Sequence, residues 1–123
     1  MDVAGVTADL IAEQDALDAV VAPLADGAWS TATPSPGWTV ADQIGHLTFF
    51  DRTAALAIDD ADAFIAHRAE LVASFADADA VERITLGEFR AMEPGELLDA
   101  WRSGRSALAR AASGLADDTL AFP

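Results

Sequence analysis

Apolar residues in this chain recur at three- and four-residue intervals, and nowhere alternate one by one over a useful length. That rhythm admits helices and leaves little room for strands. Alanine supplies much of the apolar content, which strengthens the same reading, because alanine has the highest helix propensity and fills little volume. Helices built from it approach one another closely around a few large anchors: Trp29, Trp38, Trp101, the six phenylalanines and the leucines. With 52% hydrophobic residues in 123, the chain can bury a core, and its length fits one domain spanning residues 1–123.

Breaks in the pattern divide it. A first helix is expected from Val3, or from Thr7 because Gly5 weakens the opening turn, to about Leu24, with Pro23 ending or kinking it. Its inward stripe reads Val6, Leu10, Leu17, Val20, Val21 and Leu24, with Glu13, Asp15 and Asp18 facing out. Asp26 to Gly37 is a joint rich in Gly, Ser, Thr and Pro. Thr39 then fits an N-cap with Asp42 three residues on, a capping box opening a helix from Val40 to about Ile58. Val40, Ile44, Leu47, Ala54, Ala55 and Ile58 form its inward stripe. Asp59, Asp60 and Asp62 cap a further helix from about Ala61 to Phe75. A shorter one is expected from Val81 to Met92, weakened by Gly87. Pro94 suits the first turn of a last helix to about Leu115, whose buried stripe is Leu97, Leu98, Trp101, Leu108, Ala112 and Leu115. Asp117 to Pro123 reads as coil.

Charge narrows the function. A net charge of −14 repels phosphate backbones and anionic membrane surfaces, so nucleic-acid and membrane binding are set aside. The absence of cysteine excludes disulfides, thiolate ligands and cysteine nucleophiles. No apolar run is long enough to span a bilayer, and the acidic N-terminus does not read as a signal peptide, so a cytoplasmic location is expected. No nucleophile elbow, phosphate loop or EF-hand spacing is present.

His46 is the main chemical candidate, at one edge of the second helix's stripe. A neutral imidazole there can ligate a divalent metal, although the commoner use of a single histidine at such a place is a hydrogen-bonded boundary residue. Asp42, four residues earlier, is either a second ligand or, more economically, the helix cap. Asp51 either orients the imidazole or pairs with Arg52. His67 is an exposed histidine beside Arg68 in the simplest reading, a helix-surface partner of Glu70 in a second, and a partner of His46 in a shared site in a third. Trp38 is expected to staple the helix start, and Trp101 to lie in the core.

Taken together, Trp38-Thr39-Val40-Ala41-Asp42-Gln43-Ile44-Gly45-His46-Leu47, Asp51-Arg52, the Ser35-Pro36-Gly37 turn and the late Trp101-Arg102 helix resemble the metal-binding N-terminal domain of mycothiol-dependent maleylpyruvate isomerases, in the DinB-like superfamily. The resemblance spans nearly the whole chain. It implies an all-α, four-helix bundle that binds a divalent metal, usually zinc, and works with mycothiol or a similar thiol in an isomerase or transferase. The family's first metal histidine matches His46. Its remaining ligands, spaced Glu-x-x-x-His on a fourth helix, have no counterpart here. The expectation is therefore a bundle lacking its last helix: three long helices plus shorter connecting ones, an incomplete metal site, and a chain inactive alone. An open groove is expected as well. Covering several hundred Å² of apolar surface is worth several kcal/mol at ~25 cal/mol per Å². Pairing of two chains across the groove, or a loose monomer, should follow. The alternative function is a non-catalytic acidic helical module that associates with itself or with a partner helix.

Overall fold

The computed structural model describes residues 2–115, and the expected coil after Leu115 lies outside them. Among the described residues the order is α1 (Val3–Val21), a 3-10 turn (Asp26–Ser30), α2 (Val40–Asp59), α3 (Ala61–Ala73), α4 (Ala78–Arg90) and α5 (Pro94–Ser113). The fold is all-helical, as a DinB-like bundle requires. Its ends follow from capping chemistry. Asp2 accepts a hydrogen bond from Gly5 N and so starts α1 at Val3 despite the glycine. Helix α1 ends at Val21, three residues short of the expected end: Ala22 stays helical and still donates to the Asp18 carbonyl, but Pro23 has no N–H with which to continue the ladder. Asp60 closes α2 and caps α3 at Ala63 N. Asp77 caps α4 and starts it at Ala78, ahead of the expected Val81. Pro94 occupies the first turn of α5, with Glu93 and Glu96 forming a second capping box.

Helix α2 is the centre. It packs most extensively on α5 and then on α4 and α3, while α1 leans on α5. This position explains why its buried set is wider than one stripe: Asp42, Ile44, Gly45, Thr48, Phe49 and Ala55 are all buried. One neighbour needs a small residue. A Cβ at Gly45 would lie 2.9 Å from the Phe89 Cβ of α4, whereas one at Gly104 of α5 would make only ordinary contacts, 3.5 Å from Arg52 and 3.8 Å from Thr48. Trp101, expected in the core, is 1% exposed. Buried positions on α5 run Leu97, Trp101, Gly104, Leu108, Ala111, so the stripe passes through Ala111 rather than Ala112.

The expected stripe of α1 is partly overturned. Val6 and Val20 face solvent at 56% and 63% exposure, and Leu47 of α2 is also exposed. The inward set of α1 is Val3, Leu10, Gln14, Leu17 and Val21, at heptad spacing with a polar amide in the middle. Asp18 does not face out either. Arg102 grips it with two hydrogen bonds of 2.8 and 2.7 Å, while Arg105 reaches both Asp18 and Asp15 at 2.9 Å. These bonds fasten α1 to α5. The joint before α2 is also more ordered than coil. Its 3-10 turn buries Trp29, and the chain then folds back through an antiparallel bridge between Ala32 and Thr39, with Gly37 at φ 79°.

Candidate functional site

His46 stands two turns into α2, half-buried, with its ring between two others. Trp38 lies 5.1 Å away between centroids and Phe50 4.7 Å. Trp38 thus rests on the second turn rather than stapling the first. Among the described residues no hydrogen bond reaches either imidazole nitrogen. Burial holds the His46 pKa below its ordinary value, so the ring is neutral and offers a lone pair.

Ring contacts continue from Phe50 to Phe49 at 5.0 Å and from Phe49 to His67 at 5.2 Å. Two phenylalanine rings therefore separate the imidazoles in this series, and the shared His46–His67 site is not formed. His67 is also not the exposed partner of Glu70. Its Nε2 lies 3.1 Å from Thr53 Oγ1, whose single proton is already donated to the Phe49 carbonyl at 2.9 Å. With that proton on the Phe49 carbonyl, His67 Nε2–H is the donor of the pair. This pair spans fourteen positions across two helices, a separation no local spacing rule reads.

Asp42 has the capping role. It accepts from Thr39 N at 3.1 Å and its own N–H donates to Thr39 Oγ1 at 3.2 Å. Arg90 of α4 adds a bond of 3.0 Å to Oδ1. Burial works to raise this carboxyl, but the Arg90 and Thr39 hydrogen bonds outweigh it and hold the pKa below its ordinary value. A carboxylate so occupied is not a second metal ligand.

Asp51 does neither of the things expected of it. Arg52 pairs with Glu88 at 2.9 Å. Asp51 instead faces a groove of about 260 Å³ between α1 and α2, floored by Trp101 and walled by Leu10, Gln14, Leu17 and Leu47. Burial pushes its pKa up to about 6, with Arg105 pulling the other way.

Among the described residues no group of three or more His, Asp or Glu side chains is placed to hold a metal ion. The residues present do not themselves make a metal centre. His46 fits as one donor, and no chemical step follows from one donor.

Residues 10–122 match the family described as the mycothiol maleylpyruvate isomerase N-terminal domain. The chain belongs to that family. Relatives of this mycothiol maleylpyruvate isomerase N-terminal domain include two proteins described as uncharacterized, from the CDC 1551 / Oshkosh and ATCC 25618 / H37Rv strains of Mycobacterium tuberculosis. Each is 45% identical over 102 residues, covering 82% of this chain. The match covers 38% of each relative, so the chain spans well under half their length. No solved structure matches significantly. Among the described residues no helix is long and apolar enough to cross a membrane.

Proposed function

We propose that this family domain is the bundle part of a thiol-dependent isomerase or transferase. In this reading His46 contributes one ligand to a divalent metal, most simply zinc, and the other ligands come from outside the described residues. Mycothiol, or a thiol of that kind, would be the co-substrate, as the family description implies. One observation carries the reading: His46 is neutral, held between Trp38 and Phe50, and free of hydrogen bonds to its nitrogens among the described residues. A structural histidine at a boundary normally uses a nitrogen, as His67 does with Thr53.

Zinc titration followed by NMR of the two imidazoles tests this. The His46 ring should respond first, the Trp38 ring with it, and His46→Ala should abolish the response. A response centred on His67, or none at either ring, would overturn the assignment. A second reading, a helical module that takes up a partner helix without catalysis, is supported by the groove at Asp51.

A further inference from the structure

The turn that carries Trp38 is held at both of that residue's backbone polar groups. Trp38 N donates to the Ser35 carbonyl at 3.1 Å, and Gly37 takes φ 79°. Proline at the second position and a left-handed glycine at the third make Ser35-Pro36-Gly37-Trp38 a type II turn. The Trp38 carbonyl accepts twice from Thr33, from its N–H and from its hydroxyl, both at 3.0 Å. Behind this, Val40 N donates to the Thr31 carbonyl at 2.9 Å and closes a short ribbon.

Two fastenings tie the ribbon to α2. One end is fixed by the capping box of Thr39 and Asp42. The other is fixed by Gln43, whose Nε2 donates to Thr33 Oγ1 at 3.2 Å and to Ser35 Oγ at 3.0 Å. Thr33 Oγ1 also accepts from Ser35 N at 3.3 Å, so one hydroxyl uses its whole capacity to join the turn, the Trp38 carbonyl and the helix. Residues 34–37 are all exposed, so no buried apolar anchor lies in the turn itself. Gln43 stands three residues before His46, and the two project from the same side of α2.

His46 lacks the usual device for orienting an imidazole. A ligating histidine generally bonds its second ring nitrogen to a carboxylate or carbonyl, which fixes the ring. Among the described residues nothing bonds either His46 nitrogen, and Trp38 and Phe50 steady the ring instead. Phe50 belongs to the same helix, one turn on. Trp38 comes from the turn, so its place depends on what holds the turn down.

We propose that Gln43 is a positioning residue: by latching Thr33 and Ser35 to α2 it keeps the Trp38 indole on the His46 ring and so sets that ring's orientation and the access to it. The importance of this for a ligand rests on the metal reading of His46; the latch itself does not.

Gln43→Met tests the latch, because methionine keeps the length and helix propensity of glutamine and removes the amide. Thr33→Val removes the shared hydroxyl at similar shape, and Thr33→Ser keeps it. NMR of the intact chain at one fixed pH reads the nuclear Overhauser contacts between the Trp38 and His46 rings. Diethyl pyrocarbonate, which acylates neutral imidazole nitrogens, reads access, with His67 as internal reference. In Gln43→Met and Thr33→Val the ring contacts should weaken, and His46 should acylate about 3- to 10-fold faster relative to His67, the factor a net hydrogen bond is worth. Thr33→Ser should match the parent. Parental ring contacts and a parental His46 rate in Gln43→Met would overturn the proposal. So would an equal rise at both histidines, the sign of general loosening. Zinc titration of the parent keeps the two readings apart: no response at His46 removes the metal assignment and leaves the latch standing, while failure of the latch leaves the zinc result untouched.

Discussion

Asp51 shows how far one side chain's behaviour depends on what stands across from it. Its folded pKa of about 6 lies above the ordinary 3.8, so the fold prefers the neutral acid. The stability it contributes is present in full below about pH 4 and is lost as pH rises through about 6. Asp51→Asn should therefore be more stable than the parent at pH 7 by about 1–2 kcal/mol, discounted for partial solvent screening, and equal to it near pH 4. Urea denaturation at both pH values checks this, and the difference between the two proteins removes the opposing contribution of His46, whose lowered pKa costs stability as pH falls below about 6.5. A less stable variant at pH 7 would count against the burial argument. None of this was readable from Asp51's neighbours in sequence, since the groove exists only once α1 lies opposite α2. Asp42 is the contrasting case. Thr39-x-x-Asp42 is a local pattern, so its capping box was legible, while the bond from Arg90, 48 residues on, was not.

Helix boundaries were legible wherever the punctuation was chemical: Pro34 to Gly37, Thr39, Asp60 and Pro94 all mark ends that the structure keeps. Facing was less legible. The helical spacing of apolar residues turns Val6 and Val20 inward, yet the heptad set through Leu10, Gln14 and Leu17 leaves both outside. A buried glutamine breaks any pattern built on apolar identity. The two glycines within α2 and α4 make the same point about context. Gly45 touches Phe89, so Gly45→Ala should cost about 1–2 kcal/mol, the overpacking penalty less the gain in helix propensity. Gly87 has nothing within 4 Å of a Cβ placed on it and lies on an exposed helical face. Gly87→Ala should therefore stabilise by about 0.8–1 kcal/mol. Opposite shifts in the urea midpoint are the expected result; shifts of the same sign would remove the close approach of α2 and α4 as the cause.

At the level of the whole molecule, a small surface carries a net charge of −14. Four of the seven basic residues are spent on ion pairs: Arg52, Arg90, Arg102 and Arg105. The rest of the field is repulsive, so screening should stabilise the fold. Raising NaCl from about 0.01 M to about 0.5 M should increase the melting temperature, as the Debye length falls below the spacing of most surface charges. A decrease, measured by circular dichroism, would mean that the arginine clamps between α1 and α5 outweigh the repulsion. Composition alone made the acidity and the helical class plain. Which helices meet, and where a gap is left, depended on the order in which they pack around α2.

The placement of Trp38 against His46 gives the molecule an internal lamp. An imidazole that gains a proton or an ion withdraws electron density from the indole beside it, whereas Trp29 and Trp101 sit away in the apolar interior. Emission from one tryptophan thus reports the occupancy of one nitrogen, and an optical cuvette can follow what happens at that histidine without any label.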